Sequence, residues 1–256
     1  MLHSYNSLVT INHALRSTPS LTRAYLSNQP NQSDTELGRN SEVQPLRHLV
    51  LIPTEFEKQL VAPAIDALLH RSVEVQICGI GLIESGIIAL ELVRTHHPRQ
   101  AWLVGIAGSY VDELIVGQAY EFSEVCCYGI GVGAGDSYQS VEELGWSSSL
   151  GNGMVERIGL IPHTPARSLL STTAASANST EVTQKLQKFP DCQAEDMEAF
   201  SVARACQSLN VPLRVVRGIS NRAGDREHKR WKVAEAMRSA VALICQQIEE
   251  ADEYKN

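Results

Sequence analysis

Short apolar runs alternate with longer amphipathic stretches through most of the chain, beginning at about residue 47. The apolar runs predict buried strands at 48–52, 73–78, 101–106, 118–127, 168–173 and 212–219. Apolar residues spaced three or four apart predict helices at 55–70, 83–97, 179–188, 197–209 and 229–250. Because strands and helices alternate, we expect an α/β fold in which helices cover both faces of a mostly parallel sheet.

The carboxyl ends of the predicted strands are where we expect a ligand, because ligands of such sheets bind beyond those ends. The segments that follow the strands should meet at one edge, at 53–57, 79–81, 105–109, 195–198 and 218–226. Residues 129–153 are rich in glycine and serine, which predicts a long loop of the kind that often carries function.

Residues 1–46 differ in composition from the rest of the chain. They are rich in Ser, Asn and Thr, poor in acids, and lack the continuous apolar core of a signal peptide. This composition favours a disordered extension or a start codon placed too early, although the Ser-rich beginning also resembles a transit peptide. We therefore predict an extension at 1–46 and one folded domain at 47–256.

Charge and cysteine usage exclude several classes of protein. The formal net charge is −7 and no face rich in Lys and Arg is visible, which argues against a nucleic-acid partner. The apolar runs are much shorter than a membrane span, so we expect no membrane association. The six cysteines lack C-x-x-C spacing and metal-ligand clusters. They favour buried thiols in the reducing cytoplasm, with no metal.

Acidic side chains and one amide stand directly after predicted strands. Glu55 and Glu57 follow the first strand, and Glu195-Asp196-Met197-Glu198 opens a later helix. Asn221 follows an otherwise apolar strand. Each has a simpler interpretation, since acids are common in the first turn of a helix and Asn is common in turns. Their joint position at strand ends favours a functional site.

Taken in order, five segments resemble the purine nucleoside phosphorylase and nucleosidase superfamily over about residues 47–250. They are Gly79-Ile80-Gly81, Gly105-Ile106-Ala107-Gly108, Val116-Gly117, Asp196-Met197-Glu198-Ala199 and Arg217-Gly218-Ile219-Ser220-Asn221. No single segment is specific, and Gly79-Ile80-Gly81 alone could reflect ordinary close packing. The combined pattern is specific, and it implies a single three-layer α/β/α domain with a mixed, mostly parallel sheet, like that of the nucleoside phosphorylases.

Three further features resemble the futalosine hydrolases within that superfamily. They are the loop 140–145, Ile106 where Ser or Thr is usual, and the segment Ser220-Asn221-x-x-Gly224-Asp225-Arg226 followed by Trp231. This resemblance implies hydrolysis of futalosine to hypoxanthine and dehypoxanthine futalosine in menaquinone biosynthesis, by a homodimer or larger homo-oligomer without a cofactor. The alternatives are a nucleosidase or phosphorylase for inosine or methylthioadenosine, and a catalytically silent nucleoside-binding protein.

The resemblance also implies a role for each matching residue. Glu57 would activate water, although Glu55 is close enough in sequence to be the alternative. Glu198 would bind the ribose 2′- and 3′-hydroxyls, and Met197 would pack against the sugar. Asn221 would hydrogen-bond the base near N7 and O6. The residues lining the sugar and base would be Ile106, Ala107 and Gly108.

Five other positions have less certain roles. Asp196 stands where Glu is usual, which leaves its part in substrate binding open. The carboxylate tail of futalosine would require a cation, for which Arg222 and Arg226 are candidates. We interpret Arg230 as a surface charge. Trp231 would be either an aromatic wall for the tail or an anchor for the last helix.

Two comparisons refine the expected reaction. The strand end Leu103-Val104-Gly105-Ile106 has neither Arg nor a hydroxyl, and the nearby Glu55 and Glu57 would repel phosphate, which favours hydrolysis over phosphorolysis. Within the superfamily, Asn at position 221 goes with 6-oxopurines such as hypoxanthine, whereas methylthioadenosine nucleosidases have Asp. Geometry alone leaves adenine possible, because an amide can also pair with adenine.

Overall fold

The computed structural model describes residues 47–66, 72–146, 156–162 and 165–253. The expectation for 1–46 lies outside these residues. The strands are β1 (His48–Ile52), β2 (Val73–Ile77), β3 (Gln100–Ser109), β4 (Ala119–Phe122), β5 (Glu124–Tyr128), β6 (Gly131–Val132), β7 (Gln139–Ser140), β8 (Arg157–Gly159), β9 (Ser168–Thr172), β10 (Cys192–Asp196) and β11 (Leu213–Arg222). The helices are α1 (Glu55–Asp66), α2 (Gly81–His96), α3 (Ser179–Lys188), α4 (Ala199–Ser208) and α5 (Val233–Glu253).

The main sheet runs in the order β2-β1-β3-β10-β9-β5-β8, and β11 pairs with both β3 and β4. Strand β1 is parallel to β2 and β3, β9 is parallel to β10 and β5, and β11 is parallel to β3. The remaining pairs, β10 with β3, β4 with β11 and β5 with β8, are antiparallel. The predicted mixed, mostly parallel sheet is therefore confirmed.

Helices cover both faces of this sheet. Along β1, Val50 and Ile52 pack into a core shared with α1 and α5, while Leu49 and Leu51 pack into a core shared with α2 and α4. This alternation follows from the two-residue period of a strand. Gly218 lets α5 lie close to β11, because a Cβ at that position would collide with the carbonyl of Ala236. The predicted three-layer α/β/α domain is confirmed.

The prediction of one strand at 118–127 is wrong. The chain breaks at Ser123, so that β4 pairs with β11 and β5 pairs with β9. The amide of Ser123 stabilises the chain at this break by donating to the carbonyl of Arg167 at 3.0 Å. No Gly or Pro interrupts residues 118–127, and the residue pattern there cannot reveal a change of pairing partner.

Two other predicted boundaries also differ. The last helix begins at Val233 rather than near 229, because residues 228–230 form a separate 3-10 turn. The predicted loop at 129–153 contains the paired strands β6 and β7, while its part at 147–155 lies outside the described residues.

All six cysteines are free, and five of them are buried, as their apolar surroundings in the sequence indicate. In the described ranges, no helix combines the length and the apolar character that crossing a membrane requires.

Candidate active site

A cavity of about 590 Å³ opens at the carboxyl ends of the strands, where the sheet topology predicts a ligand. This volume is typical of a small-molecule site. The end of β3 and the loops after β1, β9, β10 and β11 all contribute to its walls. Nine of the ten predicted site residues line it: Glu57, Ile106, Ala107, Gly108, Asp196, Met197, Glu198, Asn221 and Arg226.

Glu57 is buried in the first turn of α1, with 5% of its surface exposed. Its Oε2 accepts a hydrogen bond from the hydroxyl of Thr54 at 2.6 Å. Its Oε1 accepts from the amide of Ile106 on β3 at 3.1 Å. Glu55 is exposed, and its side chain accepts from Gln59 at 3.3 Å. Residues two apart on a helix point in nearly opposite directions, so only Glu57 reaches the cavity.

Glu198 is distant from Glu57 in the sequence, but both residues line the same cavity. Its Oε1 accepts from the amide of Gly81 at 3.1 Å, and Arg217 Nη2 lies 3.3 Å from its Oε2. Burial raises the pKa of Glu198 to about 7, with Arg217 opposing this shift and Asp196 adding to it. Burial therefore favours the neutral form of Glu198 more than water does.

Asp196 uses both carboxylate oxygens within the protein. Oδ1 accepts from the hydroxyl of Ser171 at 2.5 Å, and Oδ2 accepts from the amide of Ala199 at 2.9 Å and from Arg217. The amide of Ala199 is the first of α4, so Asp196 serves in part as the helix-start acid that its position suggests. These bonds orient the turn that carries Glu198.

Arg217 connects the acidic groups of the site and was assigned no role from the sequence. It is fully buried on β11 and donates to Asp196 and Glu198. Although burial lowers the pKa of Arg217, its ion pairs outweigh burial and raise the pKa above its ordinary value. Gly105 leaves room for the guanidinium, because a Cβ there would collide with Nη1. A charged residue directly after the apolar pair Val215-Val216 in a predicted buried strand was the signal that could have identified it.

Asn221 lies within β11, near its end, rather than after the strand. Its Oδ1 accepts from the hydroxyl of Ser220 at 2.8 Å. Its Nδ2 donates to the carbonyl of Arg222 at 2.7 Å and, at 3.5 Å, to that of Asp225. These bonds fit the interpretation of Asn221 as a turn residue. The longer bond is weak, so one amide hydrogen is available to an acceptor in the cavity.

The two candidate cations occupy different places. Arg226 lines the cavity, and its guanidinium lies 5.1 Å from the ring centre of Trp231. Arg222 does not reach the cavity and instead pairs with Asp112 and donates to the carbonyl of Val111. Trp231 also lines the cavity while its Nε1 donates to the carbonyl of Asp225 at 3.1 Å. It therefore forms a wall of the cavity, and its indole is bound to the loop that precedes the last helix.

Arg230 is exposed and pairs with Asp225 at 2.9 Å. This placement agrees with its interpretation as a surface charge.

An α/β/α fold with carboxylates and an amide around one cavity at the strand ends is typical of proteins that bind small molecules, and comparison with known proteins gives the family. Residues 68–251 match the phosphorylase superfamily, and the chain belongs to it.

Two curated relatives have equal identity to this chain. It is 26% identical over 147 residues to futalosine hydrolase of Streptomyces coelicolor, a match covering 55% of this chain and 61% of that protein. It is also 26% identical over 162 residues to a 5′-methylthioadenosine/S-adenosylhomocysteine nucleosidase of Staphylococcus aureus, covering 61% and 71%. The matched region thus spans about three fifths of the Streptomyces protein.

Solved structures share the fold. A mutant of Helicobacter pylori MTAN, with 5′-methylthioadenosine in its active site, superposes with a TM-score of 0.65 at 15% identity, covering 80% of this chain and 99% of that one. Futalosine hydrolase of Helicobacter pylori superposes with a TM-score of 0.63 at 14% identity, covering 80% and 98%. At these identities the likeness establishes the architecture alone.

Proposed function

We propose that this protein hydrolyses the N-glycosidic bond of a purine nucleoside, and that its substrate is futalosine. The observation that carries this proposal is the placement of Glu57 and Glu198 in one nucleoside-sized cavity. Each carboxylate is held by a backbone amide from a distant segment, Ile106 for Glu57 and Gly81 for Glu198. Two fixed carboxylates are what cleavage of a glycosidic bond requires.

In the proposed reaction, Glu57 accepts a proton from a water molecule that attacks the anomeric carbon of the ribose. Glu198 accepts hydrogen bonds from the ribose 2′- and 3′-hydroxyls. As the bond to the base breaks, the sugar becomes positively charged and the base becomes negatively charged. The nearby carboxylates stabilise the sugar, and the amide of Asn221 donates to the departing base. The base anion then takes a proton from solvent, and Glu57 returns its proton to solvent, which restores the enzyme.

Hydrolysis is favoured over phosphorolysis by the charge around the cavity. Glu57, Asp196 and Glu198 line it, and the buried cation beside them, Arg217, already donates to two of these carboxylates. Beside Glu57, where the nucleophile must stand, a phosphate ion would meet negative charge, and burial strengthens electrostatic repulsion there. Water has no charge and meets no such barrier.

We assign binding of the carboxylate tail of futalosine to Arg226. Its guanidinium is exposed, stacks on Trp231, and has no acidic partner among the residues that the structure describes. It is therefore suited to bind the carboxylate of futalosine, with the indole ring beside the phenyl group. Arg222 is less suited, because it already pairs with Asp112. Release of hypoxanthine from futalosine would place the reaction in menaquinone biosynthesis, in the cytoplasm.

We expect the purified protein to release hypoxanthine from futalosine without added phosphate. Loss of the Arg226–carboxylate contact in Arg226→Met should raise the KM for futalosine about tenfold, while leaving inosine or methylthioadenosine unaffected. Chromatography of the released bases, with and without phosphate, measures both effects. Release that depends on phosphate would identify a phosphorylase. Release of adenine from methylthioadenosine as the main product would indicate a methylthioadenosine nucleosidase. Binding of nucleoside without turnover would indicate a catalytically silent protein.

We also propose that a second copy of this chain covers the outer face of α2. Ile80, Ile83, Ile87 and Leu90 are exposed at three-to-four spacing, which forms an apolar stripe. Ile80 also lines the cavity, as does the exposed Phe56, so the stripe continues into the site. An exposed apolar patch of this kind is typical of an interface, and symmetric self-association is the commonest way to bury one.

We expect wild-type protein to form a dimer or larger oligomer, and the double variant Ile83→Glu/Ile87→Glu to be monomeric, because the charges cannot be buried without partners. Light scattering coupled to size exclusion measures the mass. Thr95→Glu is the control, since Thr95 is exposed on the same helix away from the stripe. A monomeric wild type, or a double variant that keeps the wild-type mass, would contradict this proposal.

A further inference from the structure

A second buried polar cluster lies beside the cavity and takes no part in the reaction proposed above. At its centre, Lys185 Nζ lies 3.0 Å from Glu195 Oε2, with the two side chains 7% and 4% exposed. Tyr110 donates its hydroxyl to the same oxygen at 2.7 Å. Burial, together with Glu195, raises the pKa of Tyr110 well above its ordinary value, so the hydroxyl remains a donor. We call Tyr110, Ser176, Lys185 and Glu195 the buried cluster.

The buried cluster forms hydrogen bonds with the segment after β9 on both sides of Ala175. Glu195 Oε1 accepts from the amide of Ser176 at 2.8 Å, and Oε2 accepts from its hydroxyl at 2.7 Å. Lys185 Nζ donates to the carbonyl of Ala174 at 2.8 Å and to the hydroxyl of Ser176 at 2.9 Å. The residue between them, Ala175, lines the cavity, as does Glu195. Helix α3 and strand β10 therefore hold this wall together.

The backbone of Ala175 is left available to a ligand. In the described part of the chain, its N–H and C=O have no hydrogen-bond partner, whereas the carbonyl of Ala174 accepts from Thr172 and Lys185 and the amide of Ser176 donates to Glu195. Backbone polar groups seldom remain unpaired unless water or a ligand meets them. The position of Ala175 therefore decides where such a bond can form.

Stability alone does not account for the buried cluster. A buried ion pair returns little net stability, because removing two charges from water offsets most of their attraction. Apolar side chains could join α3 to β10 at lower cost. The ion pair instead provides directional hydrogen bonds, because each donor and acceptor fixes the position of one atom of the segment 174–176.

We infer that Glu195 and Lys185 are positioning residues that hold Ala174–Ser176 as a nucleoside-binding wall of the cavity. This inference rests on the proposed function, because the ligand is the purine nucleoside of that proposal. In this inference both side chains act on the substrate through the segment they hold. Their loss should weaken binding of the substrate more than it slows the chemical step.

We expect Glu195→Gln and Lys185→Met to raise the KM for futalosine about tenfold or more, with kcat changing less than about threefold, because binding geometry is lost while Glu57 and Glu198 remain. Lys185→Arg keeps a cation with several donors and should recover most of the affinity. Steady-state kinetics give KM and kcat, and thermal melts confirm that each variant is folded at the assay temperature.

The control is Glu121→Gln, which weakens another buried ion pair. Glu121 is 1% exposed and lies 2.6 Å from Arg214 Nε, and neither residue lines the cavity. This variant should lower the melting temperature and leave KM unchanged. If Glu195→Gln does the same, the buried cluster is only structural and the inference is overturned. If a single variant does not fold, the uncharged double variant Glu195→Gln/Lys185→Met provides the comparison, with the same result expected and the same result contradicting it.

A different result is expected if the proposed function, rather than this inference, is wrong. If wild-type protein turns over no nucleoside, calorimetry of inosine and hypoxanthine binding to the wild type and Glu195→Gln replaces the kinetic comparison. Binding weakened about tenfold in the variant supports the positioning role, whereas equal binding or none to either protein contradicts it. Turnover by the wild type with unchanged KM in the variants contradicts this inference alone.

Discussion

Replacing Glu57 by Gln should reduce kcat by roughly a hundredfold to ten-thousandfold, the range expected when a general base is lost. Gln has nearly the same shape and can still accept from the amide of Ile106, so the fold should persist. It cannot take a proton from water at neutral pH. The hydroxyl of Thr54, which donates to Glu57 at 2.6 Å, would have only an amide as its partner. Release of hypoxanthine from futalosine measures the loss.

Glu55→Gln is a matched control for this variant. Glu55 lies in the same turn of α1, carries the same charge and is exposed, so its replacement should leave kcat near the wild-type value. Together the two variants separate a catalytic carboxylate from the general effect of acids at a helix start. An inactive Glu55→Gln beside an active Glu57→Gln would show that the assignment must be reversed.

Replacing Glu198 by Gln should lower kcat/KM for futalosine by about a hundredfold or more, since the ribose hydroxyls lose a charged acceptor. The loss should be smaller for a 2′-deoxy analogue of futalosine, which lacks one of the hydroxyls that Glu198 is proposed to bind. Comparing both substrates in both proteins isolates this contact. Equal losses for the two substrates would contradict the assignment to the 2′-hydroxyl.

The same variant should change how stability depends on pH. The pKa of Glu198 rises from 4.5 to about 7 on folding, mainly because of burial. The folded protein therefore binds the proton more tightly than the unfolded chain does. The contribution of Glu198 to the free energy of unfolding is greatest below pH 4.5. It falls as pH rises to about 7 and is constant above that value.

Glu198→Gln removes this dependence, so its stability relative to wild type should improve between pH 5 and pH 8, by at most about 3 kcal/mol. Denaturant unfolding at several pH values measures the difference. Glu91→Gln on the exposed side of α2 is the control and should follow wild type throughout. A Glu198→Gln variant whose stability tracks wild type across this range would mean that the group ionises as it does in water.

The amino-acid sequence alone predicted the alternation of strands and helices, the three-layer domain, and the strand ends that carry Glu57, Glu198 and Asn221. These features are local, because an apolar period of two or of three to four residues records which side of a strand or helix is buried. The charge excess that favours hydrolysis also follows from residue types. The roles assigned to these residues remain proposals.

Only the tertiary structure decided which groups meet. Glu55 and Glu57 have similar sequence contexts, and it is the contact of α1 with β3 that brings Glu57 alone to Ile106. The pairing of Arg217 with Asp196 and Glu198, and that of Lys185 with Glu195, depend on strand order in the sheet. Local periodicity records that a position is buried, but the partner of a buried charge is set by topology.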